Sequence, residues 1–236
     1  MTTDTSYLLD GRVKITQSQD GYRAGMDAIF LAAACPIEPG ETLLDLGCGV
    51  GAASLCTAAR VTDIHVTGIE IQPAQAAFAE QNFAANNLTA EMITGDIRTY
   101  QFQSDQFDHV ICNPPYHDDH QHDAPQDGAR KIAFMMDDLT IWIAAARRAV
   151  KTHGSFTLIH RADALPEIMT QMHGFGAIEV IPIWPQPDMA ASRIVIRARK
   201  GRKTPLKLYP GIALHTNNGE NTENAYNILR KGVKIP

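Results

Sequence analysis

Three glycines at alternate positions, in Asp45-Leu46-Gly47-Cys48-Gly49-Val50-Gly51, constrain this chain more than any other feature. They follow the short apolar run 41–46 and lead into the alanine-rich stretch 51–60. An apolar strand that turns through glycine into a helix is the first half of a strand–helix–strand unit. Glycine permits both the tight turn and a close approach of backbone to ligand. Nineteen residues after Gly51, the apolar run 64–70 ends at Glu70. A carboxylate at that point can accept both hydroxyls of a ribose. Further strand-like runs lie at 90–94, 107–113, 154–160 and 175–183, and 192–198 alternates apolar and polar as a half-solvated edge strand does. Helical stretches separate them: 51–60, 73–86 with Pro73 in its first turn, 138–151 with an acid at its start and bases at its end, and 162–173. The alternation predicts an α/β fold, a mostly parallel sheet of seven strands with helices on both faces.

Composition narrows the class. Hydrophobic residues at 44% and charged residues at 20% exclude a disordered chain. A net charge of −5 excludes a protein that is basic all over, though not one with a local basic face. No stretch reaches the roughly 18 apolar residues a membrane span needs. The N-terminus carries Asp4 and Asp10 and lacks a basic-then-apolar leader, so the expectation is a soluble, cytoplasmic protein. Cys35, Cys48, Cys56 and Cys112 form no CxxC pair and predict neither a disulfide framework nor a zinc site. One domain over 1–236 is expected. In it, residues 1–40 precede the first strand with a helical run near 25–35, and 41–200 form the core. Residues 201–236 form a basic extension, irregular by its Gly, Pro and Asn content, with a short helix from Asn221 or Thr222.

At the end of the fourth run stands Asn113-Pro114-Pro115-Tyr116. Two prolines remove two backbone donors and hold the preceding residue extended. The Asn113 side chain and the Pro114 carbonyl can then aim two acceptors at one place, with the flat face of Tyr116 above it. Such a site suits a planar amine. An exocyclic adenine amine is a poor nucleophile while its lone pair is delocalised, and two acceptors holding its hydrogens favour a more tetrahedral nitrogen.

Together these residues resemble class I S-adenosylmethionine-dependent methyltransferases. The acid before GxGxG matches their first motif, whose glycine turn packs on the methionine part of the cofactor. The resemblance implies a Rossmann-like fold and S-adenosylmethionine as cofactor, held by Asp45, Gly47, Gly49 and Gly51, by Glu70 with Ile71 on the ribose, and by Asp96 with Ile97 near the adenine. Asn113-Pro114-Pro115-Tyr116 resembles the catalytic signature of amino-methyltransferases, which act on adenine amines in DNA or RNA, guanine amines in ribosomal RNA and glutamine amides in release factors. In that group Asn113 also borders the cofactor. The segment Gly21-Tyr22-Arg23 through Ala32, Ser192-Arg193-Ile194-Val195 and Asn221–Lys231 are similar to a bacterial family that includes the tRNA1(Val) adenine-37 N6-methyltransferase. That likeness adds Arg23 and Asp27 to the cofactor residues and implies methylation of adenine N6 in tRNA. Alternatives are glutamine N5 or guanine N2 methylation, or a cofactor- and RNA-binding module without catalysis.

Seven cations and no acid fall between 193 and 207: Arg193, Arg197, Arg199, Lys200, Arg202, Lys203 and Lys207. On an acidic protein this predicts a surface that meets RNA phosphates. The His117–Asp123 run, with three histidines and three aspartates, reads as a polar lid over the substrate rather than a metal site, and Arg130 and Lys131 after it as phosphate contacts. Trp142 and Trp184 are expected in packing.

Overall fold

The structure, a computed structural model, describes residues 2–19, 23–115 and 138–235. Its centre is a nine-stranded sheet. Strands β3 (Thr42–Leu46), β4 (His65–Glu70) and β5 (Glu91–Thr94) run outward in order, and β6 (Phe107–Cys112) returns to the other side of β3. Beyond β6 lie β7 (Val150–Arg161), then β9 (Arg193–Lys200), then β8 (Phe175–Trp184). The two-residue strands β10 (Lys207–Leu208) and β11 (Ile212–Ala213) both pair with β8. Every strand is parallel to its neighbours except β9. The α/β Rossmann-like fold is therefore as expected, with two short strands beyond the seven.

Helices cover both faces. One face carries α1 (Met26–Ala34), α2 (Ala52–Arg60) and the C-terminal α6 (Glu223–Lys231), joined in a single apolar cluster with Phe83 of α3 (Pro73–Ala85). The other buries α4 (Leu139–Ala149) and α5 (Leu165–Gln171) against β6, β7 and β9. Their starts follow local chemistry. Asp138 caps α4 by accepting the Thr140 amide at 2.9 Å, Thr222 caps α6 through the Ala225 amide at 3.1 Å, and Pro73 occupies the first turn of α3. Arg147 and Arg148 end α4 where the helix dipole favours cations.

Three expectations need correction. Residues 1–40 do not merely precede the first strand, because β1 (Thr3–Leu8) and β2 (Val13–Ser18) form an antiparallel hairpin there. Asp10-Gly11 between alternating runs is a hairpin signal, and both residues have positive φ. Nor is 192–198 an edge: β9 lies between β7 and β8. Its polar positions tolerate the interior because Arg193 pairs with Asp27 and Arg197 with Glu179. Finally, 201–213 is not wholly irregular, since it supplies β10 and β11.

The hairpin docks on α3 through two asparagines one helical turn apart. Asn82 Oδ1 accepts the Thr16 amide at 2.8 Å and its Nδ2 donates to the Thr16 carbonyl at 2.9 Å. Asn86 repeats the pattern at Lys14, accepting at 2.8 Å and donating at 2.7 Å. Alternate residues of a strand face one way, so helix spacing i, i+4 matches strand spacing i, i+2 and the side-chain amides substitute for a neighbouring strand.

Candidate functional site

The strands β3, β4, β5 and β6 end in one row. Leu46 pairs with Ile69 on one side and Cys112 on the other, and Glu70 pairs with Thr94. Gly47, Ile71, Asp96 and Asn113 therefore leave the sheet at the same edge. Because the chain leaves β3 in one direction and comes back at β6 on its other flank, the loops after these two neighbours diverge. A crevice opens at such a switch point in an open α/β sheet.

Local bonding fixes the glycine turn. The Gly47 and Cys48 amides donate to the Ile69 carbonyl at 2.8 and 3.1 Å. Gly47 has φ +66° and its Cα faces Trp142 of α4, where an added Cβ would come 2.4 Å from the indole Cη2. Trp142 is thus a packing residue, and it packs against the turn itself. Gly49 is different. Its φ is +55°, but an added Cβ would meet no described atom within 4 Å. Gly47 is glycine because protein fills the space, whereas among the described residues nothing fills the space beside Gly49. Gly51, the last of the three, starts α2.

Two buried acids stand beside this turn. Glu70 accepts the Gly49 amide on Oε2 at 3.0 Å and the Gln72 amide on Oε1 at 2.9 Å. Burial raises its pKa, and these amides oppose the rise. Asp45 is 2% exposed, and its Oδ2 has no hydrogen-bond partner among the described residues. Burial pushes its carboxyl up to about 7, against a lowering by Ser54 and with a further rise from the charge of Glu70. Farther out, Arg98 binds Asp96 through Nε at 2.9 Å and holds that carboxyl below its ordinary value. Ile97 is buried and Ile71 half-buried.

Asn113, Pro114 and Pro115 follow β6 at the same edge, Pro114 buried and the other two half-buried. Tyr116, the His117–Asp123 run, Arg130, Lys131, Gly21 and Tyr22 lie outside the described residues. Arg23 pairs with Asp4 of β1, and buried Asp27 accepts from Arg193 Nε at 3.2 Å. These two expected cofactor residues are thus tied to the hairpin and to β9. Sequence reasoning missed Gln17, 2% exposed, which accepts the Ala24 amide at 3.0 Å, and it missed Asn82. A pair of asparagines four apart beside an Asp-Gly hairpin was the available signal for the second.

Trp184 donates its indole N–H to the Pro210 carbonyl at 3.0 Å. The cationic run 193–207 divides in two. Arg193 and Arg197 are paired with acids, Arg199 donates to the His153 carbonyl at 3.1 Å, and Lys200 binds Asp105 at 3.1 Å. Arg202, Lys203 and Lys207 are exposed. Among the described residues, no helix is long and apolar enough to cross a membrane.

Comparison with known proteins agrees with the crevice. The sequence profile of the methyltransferase small domain matches residues 25–181. No curated protein gives a sequence match. Among solved structures, a predicted O-methyltransferase from Agrobacterium tumefaciens is 26% identical, with a TM-score of 0.75 over 89% of this chain and 98% of that one. The 16S rRNA N2 G1207 methyltransferase of T. Thermophilus, solved with AdoMet and guanosine, is 21% identical with a TM-score of 0.58 over 84% of this chain and 50% of that one. The tRNA (m1A58) methyltransferase of Aquifex aeolicus is 15% identical with a TM-score of 0.58 over 80% of this chain and 73% of that one. The last two likenesses show the shared fold. With its profile match spanning most of the chain, this protein belongs to the methyltransferase small domain family and is a class I methyltransferase that uses S-adenosylmethionine.

Proposed function

We propose that this enzyme methylates N6 of adenine in RNA, with tRNA the substrate, in the manner of the family that its N-terminal and C-terminal segments resemble. The observation that carries the reading is the common row at the sheet edge. The glycine turn, Glu70 and Asp96 leave β3, β4 and β5 level with Asn113-Pro114 after β6.

The residues fit the cofactor. Among the described residues no atom comes within 4 Å of the Cβ position at Gly49, which leaves room for a ligand at the turn. Glu70 accepts backbone amides on both oxygens, and a carboxylate has about four acceptor sites, so capacity remains to hold a ribose hydroxyl. Asp45, buried and unpartnered at Oδ2 among the described residues, sits behind the turn as an acceptor in reserve. Asp96 with Ile97 borders the adenine end, and Gly47, Gly51, Ile71, Arg23 and Asp27 shape the surroundings. Bound there, S-adenosylmethionine supplies an electrophilic methyl carbon on its sulfonium. Asn113 Oδ1 and the Pro114 carbonyl hold the two hydrogens of the target amine and draw its lone pair out of the ring. Pro115 stiffens the turn, and Tyr116 stacks on the base once it is flipped out. No strong base is required, because the amine sheds its extra proton after transfer. Positioning of this kind can supply roughly 7–11 kcal/mol of the barrier reduction.

Arg202, Lys203 and Lys207 are the exposed cations available to phosphates in the 193–207 run. The chain reads as one domain, with 1–40 covering the cofactor and 201–236 the basic extension.

The test is transfer of labelled methyl to total RNA from cells lacking this gene, followed by nucleoside mass spectrometry. Labelled N6-methyladenosine in tRNA supports the reading. Label at guanine N2 or at a ribose oxygen overturns the adenine reading, and label in no RNA nucleoside with the cofactor demonstrably bound overturns RNA as the substrate and moves the search to protein glutamine and DNA. Asn113→Ala is expected to reduce turnover at least about 100-fold, as loss of a positioning group does, with cofactor Kd within about twofold. Equal loss of both makes Asn113 a structural residue.

A further inference from the structure

Asn82 does more than dock the hairpin. Its Nδ2 donates to the Thr16 carbonyl at 2.9 Å and also to the Val50 carbonyl at 3.0 Å. Val50 is the residue between Gly49 and Gly51. One amide, 1% exposed, therefore spans three segments: the N-terminal hairpin, α3 and the glycine turn. Asn86, one turn later, bonds Lys14 and the Asn82 carbonyl, away from the glycine turn.

The neighbours sharpen the point. Gly51 lies against α3, where an added Cβ would come 3.3 Å from the Ala79 Cβ and 3.2 Å from the Phe83 ring. Packing thus sets how far the turn stands from α3, but packing is indifferent to rotation of the 50–51 peptide. That rotation is held at both ends of the peptide: the Gly51 amide donates to the Cys48 carbonyl at 2.8 Å within the turn, and the Asn82 Nδ2 bond to the Val50 carbonyl ties the same peptide to α3 and the hairpin. The far side of the hairpin is itself anchored. Gln17 Oε1 accepts the Ala24 amide at 3.0 Å, and Arg23 pairs with Asp4. Hairpin position, helix α1 entry and glycine-turn geometry are linked through a chain of named contacts.

We propose that Asn82 is a positioning residue for cofactor binding, holding the Val50 peptide so that the hairpin and the glycine turn move as one body. The inference rests on the reading that the glycine turn meets the cofactor. It assigns the hairpin a share in cofactor affinity, although no hairpin atom need touch the cofactor. A ligand that orders the turn orders the hairpin through Asn82, and loosening the hairpin at Thr16 weakens the turn.

The experiment compares Asn82→Ala, Asn86→Ala and Glu70→Ala in the full chain. S-adenosylmethionine affinity is measured by calorimetry at a temperature where circular dichroism shows each variant folded. Amide hydrogen exchange is followed at 13–18 and 48–52. Asn82→Ala is expected to weaken binding about tenfold, the order of one or two net hydrogen bonds, and to speed exchange in both segments. Asn86→Ala is expected to speed exchange in the hairpin alone and to leave Kd within about twofold. Should Asn82→Ala not fold, Asn82→Ser keeps one hydroxyl donor and is expected to fall between wild type and that loss. Faster hairpin exchange in the Asn82 variant with unchanged Kd overturns the proposal, as does an equal loss of affinity in Asn86→Ala. Unchanged affinity in Glu70→Ala overturns the underlying cofactor reading and this proposal with it. Loss in Glu70→Ala without loss in the Asn82 variant overturns this proposal alone.

Discussion

Asp45 is a buried acid held near neutrality by its surroundings. Burial lifts its pKa from 3.8 to about 7, and the charge of Glu70 adds to the rise. Near pH 7 a large fraction of the protein therefore carries a proton here. S-adenosylmethionine brings a sulfonium and an ammonium against one carboxylate, a net positive charge. A cation placed near an acid favours its ionised form. Cofactor binding at pH 7 is expected to release protons, read as a binding heat that varies with the ionisation enthalpy of the buffer. Asp45→Asn removes the titrating group, so the buffer dependence is expected to shrink, leaving the smaller share of Glu70, whose pKa is also raised. Binding heats equal across buffers in the wild-type protein would sink the idea. The position of this acid before the glycines was legible in the sequence. Its elevated pKa was not, since that depends on α2, β4 and the Glu70 carboxylate packing around it.

At the scale of elements, what was legible followed from periodicity. The apolar runs marked β3 to β9 and the caps marked α4 and α6, because each depends on neighbours a few residues away. The interior place of β9 was not legible. Its alternating arginines resemble a solvated edge, and only the partners Asp27 and Glu179, distant in sequence, allow it inside. The same limit hid the network at the opposite ends of these strands. There His109 of β6 bonds Ser155 of β7 at 2.6 Å through Nδ1 and Glu41, just before β3, at 2.8 Å through Nε2. Burial lowers the His109 pKa and Arg199 adds to this, while Glu41 and Asp108 oppose it. The unfolded chain thus binds a proton from about pH 6.5 downward before the native one does, and stability present above that pH is lost as the pH falls through the native pKa. Asp45 has the opposite sign. Its native form holds a proton that the unfolded chain has lost, so its stabilising share is present below 3.8 and is lost as the pH rises through about 7. The two slopes oppose one another just below about pH 6.5, where the unfolded chain begins to protonate the histidine and native Asp45 still holds its proton, each bounded by about 1.4 kcal/mol per pH unit. Melting temperature against pH is expected to fall more steeply with rising pH in His109→Gln than in the wild type, and the slope is expected to turn the other way in Asp45→Asn. Parallel curves for all three proteins would show that neither group is linked to folding.

Across the whole molecule, the crevice and the exposed cations are far apart. The strand register sets Arg199 level with Ser155 and Ser155 level with His109, the end of β6 opposite Asn113. Arg202 lies against Gly176, which pairs with Arg199, so it shares that level three strands beyond β6. Four residues of strand rise and about three strand spacings separate Arg202 from Asn113 by roughly 20 Å. On the tRNA reading proposed above, a folded tRNA is long enough to touch both the crevice and these cations, whereas a single nucleotide in the crevice is not. Substrate length then becomes the discriminating variable. Replacing Arg202, Lys203 and Lys207 together by Gln is expected to raise KM for intact tRNA and to reduce its salt dependence, by about 0.7–0.9 in the log–log slope for each phosphate no longer neutralised. The same variant is expected to methylate a short oligonucleotide carrying the target adenine as the wild type does, with kcat unchanged on both substrates. An equal rise in KM on the short substrate would mean that these residues act through the fold, and no change on tRNA would mean that the RNA leaves the crevice in another direction.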